Sequence, residues 1–304
     1  MDSLTTLAGA LSYAMGIEPP ACAEAKNEAL VKYVDEAFGG RKADRIFMYN
    51  PDAIAYWLQR KYPFFVETVQ KNTDLASPFW VPFPPVTPVC FGTMYTGAEP
   101  QVHGIVKYER PVIRIDTLFD ALIRAGKKPL IISIKNCSMS LIFNERPMDY
   151  IVKDTVEEAN AAACEAILED KYDFIAVYNN NYDHRMHRSG PEDPRALAEM
   201  RYNDRMFGTF ADLIRRHWTQ HDTLMGYGMD HGCHARYKEK ETGLSLGDHG
   251  YDMPEDREVC HYYKALAYAS IVFFVLLVIS ILYMRDRFGL KPNKYKKEDI
   301  RLGI

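Results

Sequence analysis

The sequence is short of the features that mark the commonest binding classes. Its 304 residues hold six cysteines, Cys22, Cys90, Cys137, Cys164, Cys233 and Cys260, with no C-x-x-C pair among them. Scattered single cysteines exclude a disulfide framework and read as small buried apolar residues of a reduced, intracellular protein. Basic charge is not in excess either: 37 Lys and Arg face 41 Asp and Glu, a net charge of −4, which excludes general binding to a nucleic-acid polymer. P-loop, zinc-finger and helix-turn-helix spacings are missing. A basic leader is missing too, because Asp2 stands where a secretory signal carries lysine or arginine, so MDSLTTLAGALSYAMGIEPP is not read as a signal peptide. No internal repeat or low-complexity linker divides the chain, and 47% hydrophobic with 26% charged residues describe a chain that builds a core.

One long apolar run is present. Ala265 to Met284, ALAYASIVFFVLLVISILYM, carries no charge and is long enough to cross a bilayer core of about 30 Å at about 1.5 Å per residue. Lys264 and Arg285 bracket it, with Tyr268 and Tyr283 near the two interfaces. A buried core helix is the alternative. The expected division is a catalytic domain over 1–263, a transmembrane helix over 264–285 that makes the lipid bilayer a partner, and a basic tail over 286–304. Orientation rests on conflicting signals. The tail's Arg285, Arg287, Lys291, Lys294, Lys296, Lys297 and Arg301 put the tail in the cytoplasm by the positive-inside rule, whereas unpaired cysteines and the missing leader argue for a cytoplasmic domain, which is the reading taken.

Upstream of that run, helical and strand periods alternate. Helices are expected over Ala21–Phe38, from Ala53 to Pro63, and over Asp116–Lys128, Thr155–Glu169 and Pro194–Trp218; strands over Arg45–Tyr49, Pro129–Ile134, Tyr172–Tyr178 and Thr223–Met229. This alternation predicts an α/β fold, a mostly parallel sheet with helices on both faces.

The stretch FPPVTPVCFGTMYTGAEPQVHGI, Phe83 to Ile105, presents Thr87 directly before Pro88 at what reads as a helix start. There the threonine is either an N-cap or a nucleophile set against the positive end of the helix dipole. Polar pairs stand at the strand ends: Asp52 after the first strand, Asp183 and His187 in NNNYDHRMHRSGP, Asp230 and His231 in GMDHGCH, Asp248 and His249 in LGDHGYDMPED. Singly, each reads as a turn or a solvated patch. Aimed at one edge of a sheet, where open α/β folds bind ligands, they form a pool of oxygen and imidazole donors suited to zinc or manganese.

On these residues the chain resembles the alkaline phosphatase superfamily and, within it, the type I phosphodiesterase and nucleotide pyrophosphatase family. The motifs follow family order from Arg45 to Asp256: Asp52, then VTP with TGAEPQVHGI, then D-x-x-x-H at Asp183 and His187, DHG at Asp230, and the closing GDHGYD. The resemblance implies an alkaline-phosphatase-like sheet, two divalent ions, usually zinc, and hydrolysis of phosphodiester or pyrophosphate bonds in small phosphate esters, nucleotides among them. Carried over position by position, Asp183, His187 and His249 look like one metal site, and Asp52, Asp230 and His231 like the other. Thr87 looks like both a further ligand and the nucleophile, acting through a phosphothreonine. Three carboxylates against two divalent ions leave about one net positive charge for a phosphate oxyanion.

Departures from the family pattern bear on the substrate. Its Asp-Gly after the first strand is Asp52-Ala53 here, and Tyr108 in HGIVKYERP stands about where an asparagine donates to the phosphate. Phosphate contact is therefore expected from Tyr108, Lys107 or the Thr87 backbone N–H. Cys90 precedes Phe91, Gly92 and Thr93 rather than the C/S-x-P-x-R context of a sulfatase. A phosphomonoesterase or phosphonate hydrolase, with Lys107 or Arg185 supplying extra positive charge, is one alternative; an inactive membrane-tethered metal-binding or interaction protein is another. The loops Ser77–Pro85 and Asn136–Met148 are expected to shape substrate choice.

Overall fold

A computed structural model describes residues 1–23, 25–236, 246–268, 283 and 287. Residues Met1–Ala267 form one compact unit, separate from the chain beyond it, and that unit holds all the strands described below.

The strands are β1 (Asp2–Ser3), β2 (Arg45–Pro51), β3 (Leu75–Trp80), β4 (Pro129–Ile134), β5 (Asp149–Lys153), β6 (Phe174–Asn179), β7 (Thr223–Tyr227), β8 (His234–Ala235), β9 (Gly247–Asp248) and β10 (Glu258–Leu266). Eight of them build one sheet in the order β1-β3-β10-β7-β2-β6-β4-β5, and β8 pairs with β9 in a small hairpin. All ladders of the large sheet are parallel except those of β10, which runs antiparallel between β3 and β7. Every residue of β6 and β7, and all of β2 but Arg45, is buried. Continuous apolar runs of this kind belong to strands covered on both faces.

Parallel register gives the two faces. Ile46 pairs with Phe174, so Phe174 faces the same side as Ile46 and the opposite side from Phe47. On the Phe47 side, Phe210 of the helix Pro194–His217 packs 5.1 Å from Phe47 and 5.2 Å from Tyr49. On the Phe174 side, Tyr95 and Phe119 lie 6.3 and 6.0 Å from its ring, carried by the helices Thr87–Thr96 and Leu118–Arg124. The pairs Pro51 with Asn179 and Tyr49 with Tyr227 bring the carboxyl ends of β2, β6 and β7 level. Chains leaving those three ends therefore start at one edge.

Boundaries differ from the sequence expectations for local reasons. The helix expected from Ala21 follows an earlier one, Thr6–Met15, and starts at Glu28, because Asn27 caps it by accepting from the Leu30 N–H at 2.8 Å. Thr117 and Asp120 form a reciprocal capping box that starts the helix expected from Asp116 at Leu118. The helix expected from Ala53 starts at Tyr56, since Ala53 is left-handed with φ 63°. The expected membrane span needs a correction at its start: Ala265 and Leu266 pair with Leu224 and Thr223 as the end of β10. Residues 269–282 and 284 of that span, and nearly all of the tail over 286–304, lie outside the described residues. Among the described residues no helix is long and apolar enough to cross a membrane.

Candidate active site

Thr87 is the first residue of its helix. Val86, extended (φ −132°, ψ 147°), occupies the cap position and makes no side-chain capping bond, so the N-cap alternative does not hold for Thr87. Its hydroxyl oxygen instead lies 3.3 Å from His231 Nε2 and 3.5 Å from Asp52 Oδ2. The helix behind it is buried along its whole length, which fixes the hydroxyl on rigid structure. Gly92 allows this packing: a Cβ there would lie 2.6 Å from the His103 ring, which in turn bonds Thr93 at 3.1 Å.

Two donor groups meet beside Thr87. Asp52, Asp230 and His231 form one, and Asp183, His187 and His249 the other; within each, ligand atoms lie within 4.8 Å of one another. Asp52 follows β2, and the pair Asp230 and His231 comes from the loop after β7. Asp183 and His187 were expected in a loop, but they sit on a nine-residue helix, Asn181–Ser189. Spacing of four residues puts them on one helical face, with His187 Nε2 3.2 Å from Asp183 Oδ1. His249 follows β9 and brings its Nε2 to 3.4 Å from the same oxygen. The His231 and His249 rings are 4.1 Å apart, so the groups adjoin.

The chemistry of these donors fits divalent cations. Each histidine is oriented through its other nitrogen: Nδ1 faces the carbonyl of Gly247 from His187 (3.1 Å), of Pro85 from His249 (3.2 Å) and of Gly232 from His231 (2.9 Å). Donation there leaves each Nε2 lone pair for a ligand. Asp52 Oδ1 and Asp230 Oδ2 are buried without a hydrogen-bond partner. Buried ionised oxygens are costly unless a cation compensates them.

Without such a cation the two groups behave oppositely. Burial, reinforced by the neighbouring carboxylates Asp230 and Asp183, pushes Asp52 well above the usual carboxylate range, and burial pushes Asp230 up to about 8. Burial also drives His231 well below the ordinary histidine value, with the charge on His249 adding to it. In the other group the bond to Asp183 raises His187 to about 9. Burial opposes ionisation of Asp183, but His187 and His249 outweigh it and hold that carboxyl low.

Asp52, Thr87, Asp183, His187 and His249 line a cavity of about 340 Å³, whose remaining lining includes Tyr108, Arg110, Asn136, Ser138, Tyr178 and Asn180. Tyr108 thus reaches the pocket, though it is largely exposed. Lys107 does not line it: its ammonium is exposed and pairs with Glu109 at 3.5 Å. Arg185 pairs with Glu199 at 3.9 Å, and Asp248 accepts from the His249 N–H at 3.0 Å. Of the two loops expected to shape the pocket, Asn136–Met148 contributes and Ser77–Pro85 does not, because Ser77–Trp80 is the end of β3.

Several contributors escaped sequence reading. Tyr178 donates to Asp52 Oδ2 and packs edge-on against Phe91 of the Thr87 helix at 5.4 Å. Asn179 and Asn203 bond each other and Tyr49 at 2.8 to 3.0 Å, and Asn203 donates to Asn181 at 2.8 Å. This buried network anchors the first turn of the helix that carries Asp183. Of the three consecutive asparagines only Asn180 lines the pocket. The run NNN was a signal in the sequence, but its partner Asn203 lies on a distant helix.

The sequence model of the family described as type I phosphodiesterase / nucleotide pyrophosphatase matches residues 133–240, a segment containing Asp183, His187, Asp230 and His231. Among solved structures, human ectonucleotide pyrophosphatase / phosphodiesterase 5 is similar at a TM-score of 0.58 and 12% identity, covering 77% of this chain and 94% of that one. The murine protein, in an inactive form in complex with AMP, gives a TM-score of 0.56 at 14% identity, covering 74% of this chain and 88% of that one. No curated protein sequence matches the chain.

Proposed function

We propose that this chain, a hydrolase of the type I phosphodiesterase and nucleotide pyrophosphatase family within the alkaline phosphatase superfamily, cleaves its phosphodiester or pyrophosphate substrates with Thr87 as nucleophile and two divalent metals as cofactors. The observation that carries this reading is the convergence of two three-residue donor groups beside one threonine hydroxyl, with a buried, unpartnered carboxylate oxygen on each of Asp52 and Asp230. Asp52, Asp230 and His231 would hold one ion, Asp183, His187 and His249 the other, with the Thr87 oxygen as a further ligand. Zinc is the first choice for these donors and manganese the second. Bound there, the ions supply Lewis acidity that lowers the threonine pKa and neutralises charge on the leaving oxygen.

The protein's own groups do the rest. Thr87 Oγ1 attacks phosphorus, the bond to the leaving oxygen breaks, and the threonine proton ends on the departing alcohol or phosphate. Water then attacks the phosphothreonine and restores the hydroxyl. Burial of the Thr87 helix keeps that oxygen in line at little entropic cost. Tyr178 and the Ala53 N–H hold the carboxylates of Asp52 and Asp230 in orientation, the second at 3.2 Å. A nucleotide-type phosphate ester is the substrate class favoured, given the AMP complex of the murine relative.

Metal analysis coupled to turnover of bis-p-nitrophenyl phosphate and p-nitrophenyl phosphate tests the reading. The expected result is about two ions per chain and faster cleavage of the diester; two bound ions with no turnover of either ester would overturn it. The uncharged run beyond Ala267 we retain as a proposed single-pass anchor, with the hydrolase on the cytoplasmic side. Protease digestion of sealed membrane vesicles checks the side.

A further inference from the structure

The metal-ligand groups use the carboxyl ends of β2, β6 and β7, but the cavity extends over a fourth strand end, that of β4, next to β6 in the sheet. The residues following β4, Asn136 and Ser138, line it, and Asn180 lines it from the end of β6. These are neutral donors. One cation joins them: Arg110 lines the same cavity, while Lys107 and Arg185, also close in sequence to site residues, pair with Glu109 and Glu199 outside it. The Arg110 guanidinium is held from two sides. It donates through one terminal nitrogen to the carbonyl of Asn136, a residue in the left-handed conformation with φ 58°, and it lies 6.0 Å from the centre of the Tyr108 ring. A guanidinium has five N–H donors in a fixed fork, so the bond to Asn136 orients it and leaves other donors for the cavity.

Nothing in the hydrolysis of a simple diester needs this group. The diester carries one negative charge, which the two ions already meet, and a second cation with a wall of amide and hydroxyl donors matches a further anion. We propose that Arg110 recognises a second phosphoryl group of the substrate, joined to the scissile one through a phosphoanhydride, and so selects pyrophosphate-linked substrates over singly charged diesters. Fork geometry suits a phosphoryl oxygen pair better than a point charge does. This inference rests on the hydrolase reading above.

The test compares Arg110→Ala with the wild-type protein, both loaded with zinc, on a nucleoside triphosphate, on bis-p-nitrophenyl phosphate and on p-nitrophenyl phosphate. Loss of a charge-assisted contact predicts that the ratio of kcat/KM for the triphosphate to that for the diester falls roughly 10- to 100-fold, with Arg110→Lys recovering part of it. Calorimetry on the Thr87→Ala protein, which reads binding without turnover, should show inorganic pyrophosphate binding more tightly than phosphate, and the difference should disappear when Arg110→Ala is added. An unchanged ratio overturns the inference. So does a loss confined to p-nitrophenyl phosphate, which would put the extra charge on the scissile group itself. Wild-type protein that binds zinc yet cleaves none of the three would sink the hydrolase reading instead, a distinguishable failure.

Discussion

The two donor groups differ in their access to water. Asp52, Asp230 and His231 have side chains 0 to 1% exposed, whereas Asp183 and His187 are 17 and 38% exposed and His249 is 8% exposed. The inner group is therefore the one that cannot stand alone: with no cation, burial pushes its two carboxyls toward protonation and its histidine toward neutrality. The outer group compensates itself, since Asp183 and His187 form an ion pair on one helical face. One site is an electrostatic deficit that an ion must fill, and the other is a preformed pair that an ion must displace.

The largest expected effect concerns Thr87, which stands against the inner group. Thr87→Ala should lower kcat at least about 10³-fold while both ions remain bound, read by steady-state assay and metal analysis on the same sample. Loss of the ions together with activity would make the threonine a structural ligand rather than a nucleophile.

Chelation should separate the groups in time. Treatment of zinc-loaded protein with a chelator is expected to release metal in two phases, the more exposed outer group first, followed by colorimetric detection of free zinc. Release in a single phase would mean that the two sites act as one unit.

A smaller effect is expected from pH on the metal-free protein. Asp230 is raised from 3.8 to about 8, so its penalty is absent below pH 4 and grows as pH rises toward 8. His187 is raised from 6.5 to about 9, so its contribution is complete below pH 6.5 and is lost through pH 9. Both signs agree, and Tm of the metal-free protein should fall between pH 6 and 9. Zinc should raise Tm more at the upper end, because its ligands must be deprotonated. Scanning fluorimetry across that range checks the sign.

The smallest effect is local to the inner site. Ala53 adopts φ 63° and its N–H donates to Asp230 Oδ1 at 3.2 Å, a conformation that costs an L-residue about 1–2 kcal/mol, while glycine carries roughly 0.5–1 kcal/mol of extra chain entropy. Ala53→Gly should stabilise the protein by up to about 1 kcal/mol in urea unfolding and leave the inner metal affinity unchanged.

Much of the sheet was legible because its central strands are continuous apolar runs. Pro129–Ile134 matches β4 end to end, and the others are displaced by one or two residues. Strands β3, β5 and β10 were not legible: Pro78 interrupts the first, β5 is a half-exposed edge strand, and β10 merges in sequence with the apolar run that follows it. The residues of the two donor groups were legible as polar pairs at strand ends, a pattern that packing does not predict. Arg110, Tyr178 and Asn180 were not, since their roles depend on β6 lying between β2 and β4, which no local pattern encodes. Lys107 adjoins Tyr108 in sequence but pairs with Glu109, because adjacent side chains on an irregular segment need not face the same way.

Because β10 is antiparallel, its first residue pairs with Trp80 at the end of β3, and its last, Leu266, pairs with Thr223 at the beginning of β7. The chain thus leaves the sheet at the edge remote from the pocket. A pull applied beyond Leu266 loads β10 in shear first against β7 and only then against β3, and the first ladder bonds to take the load lie at the far end of β7 from Asp230. Mechanical tension on the exit strand would reach the edge that carries the pocket last.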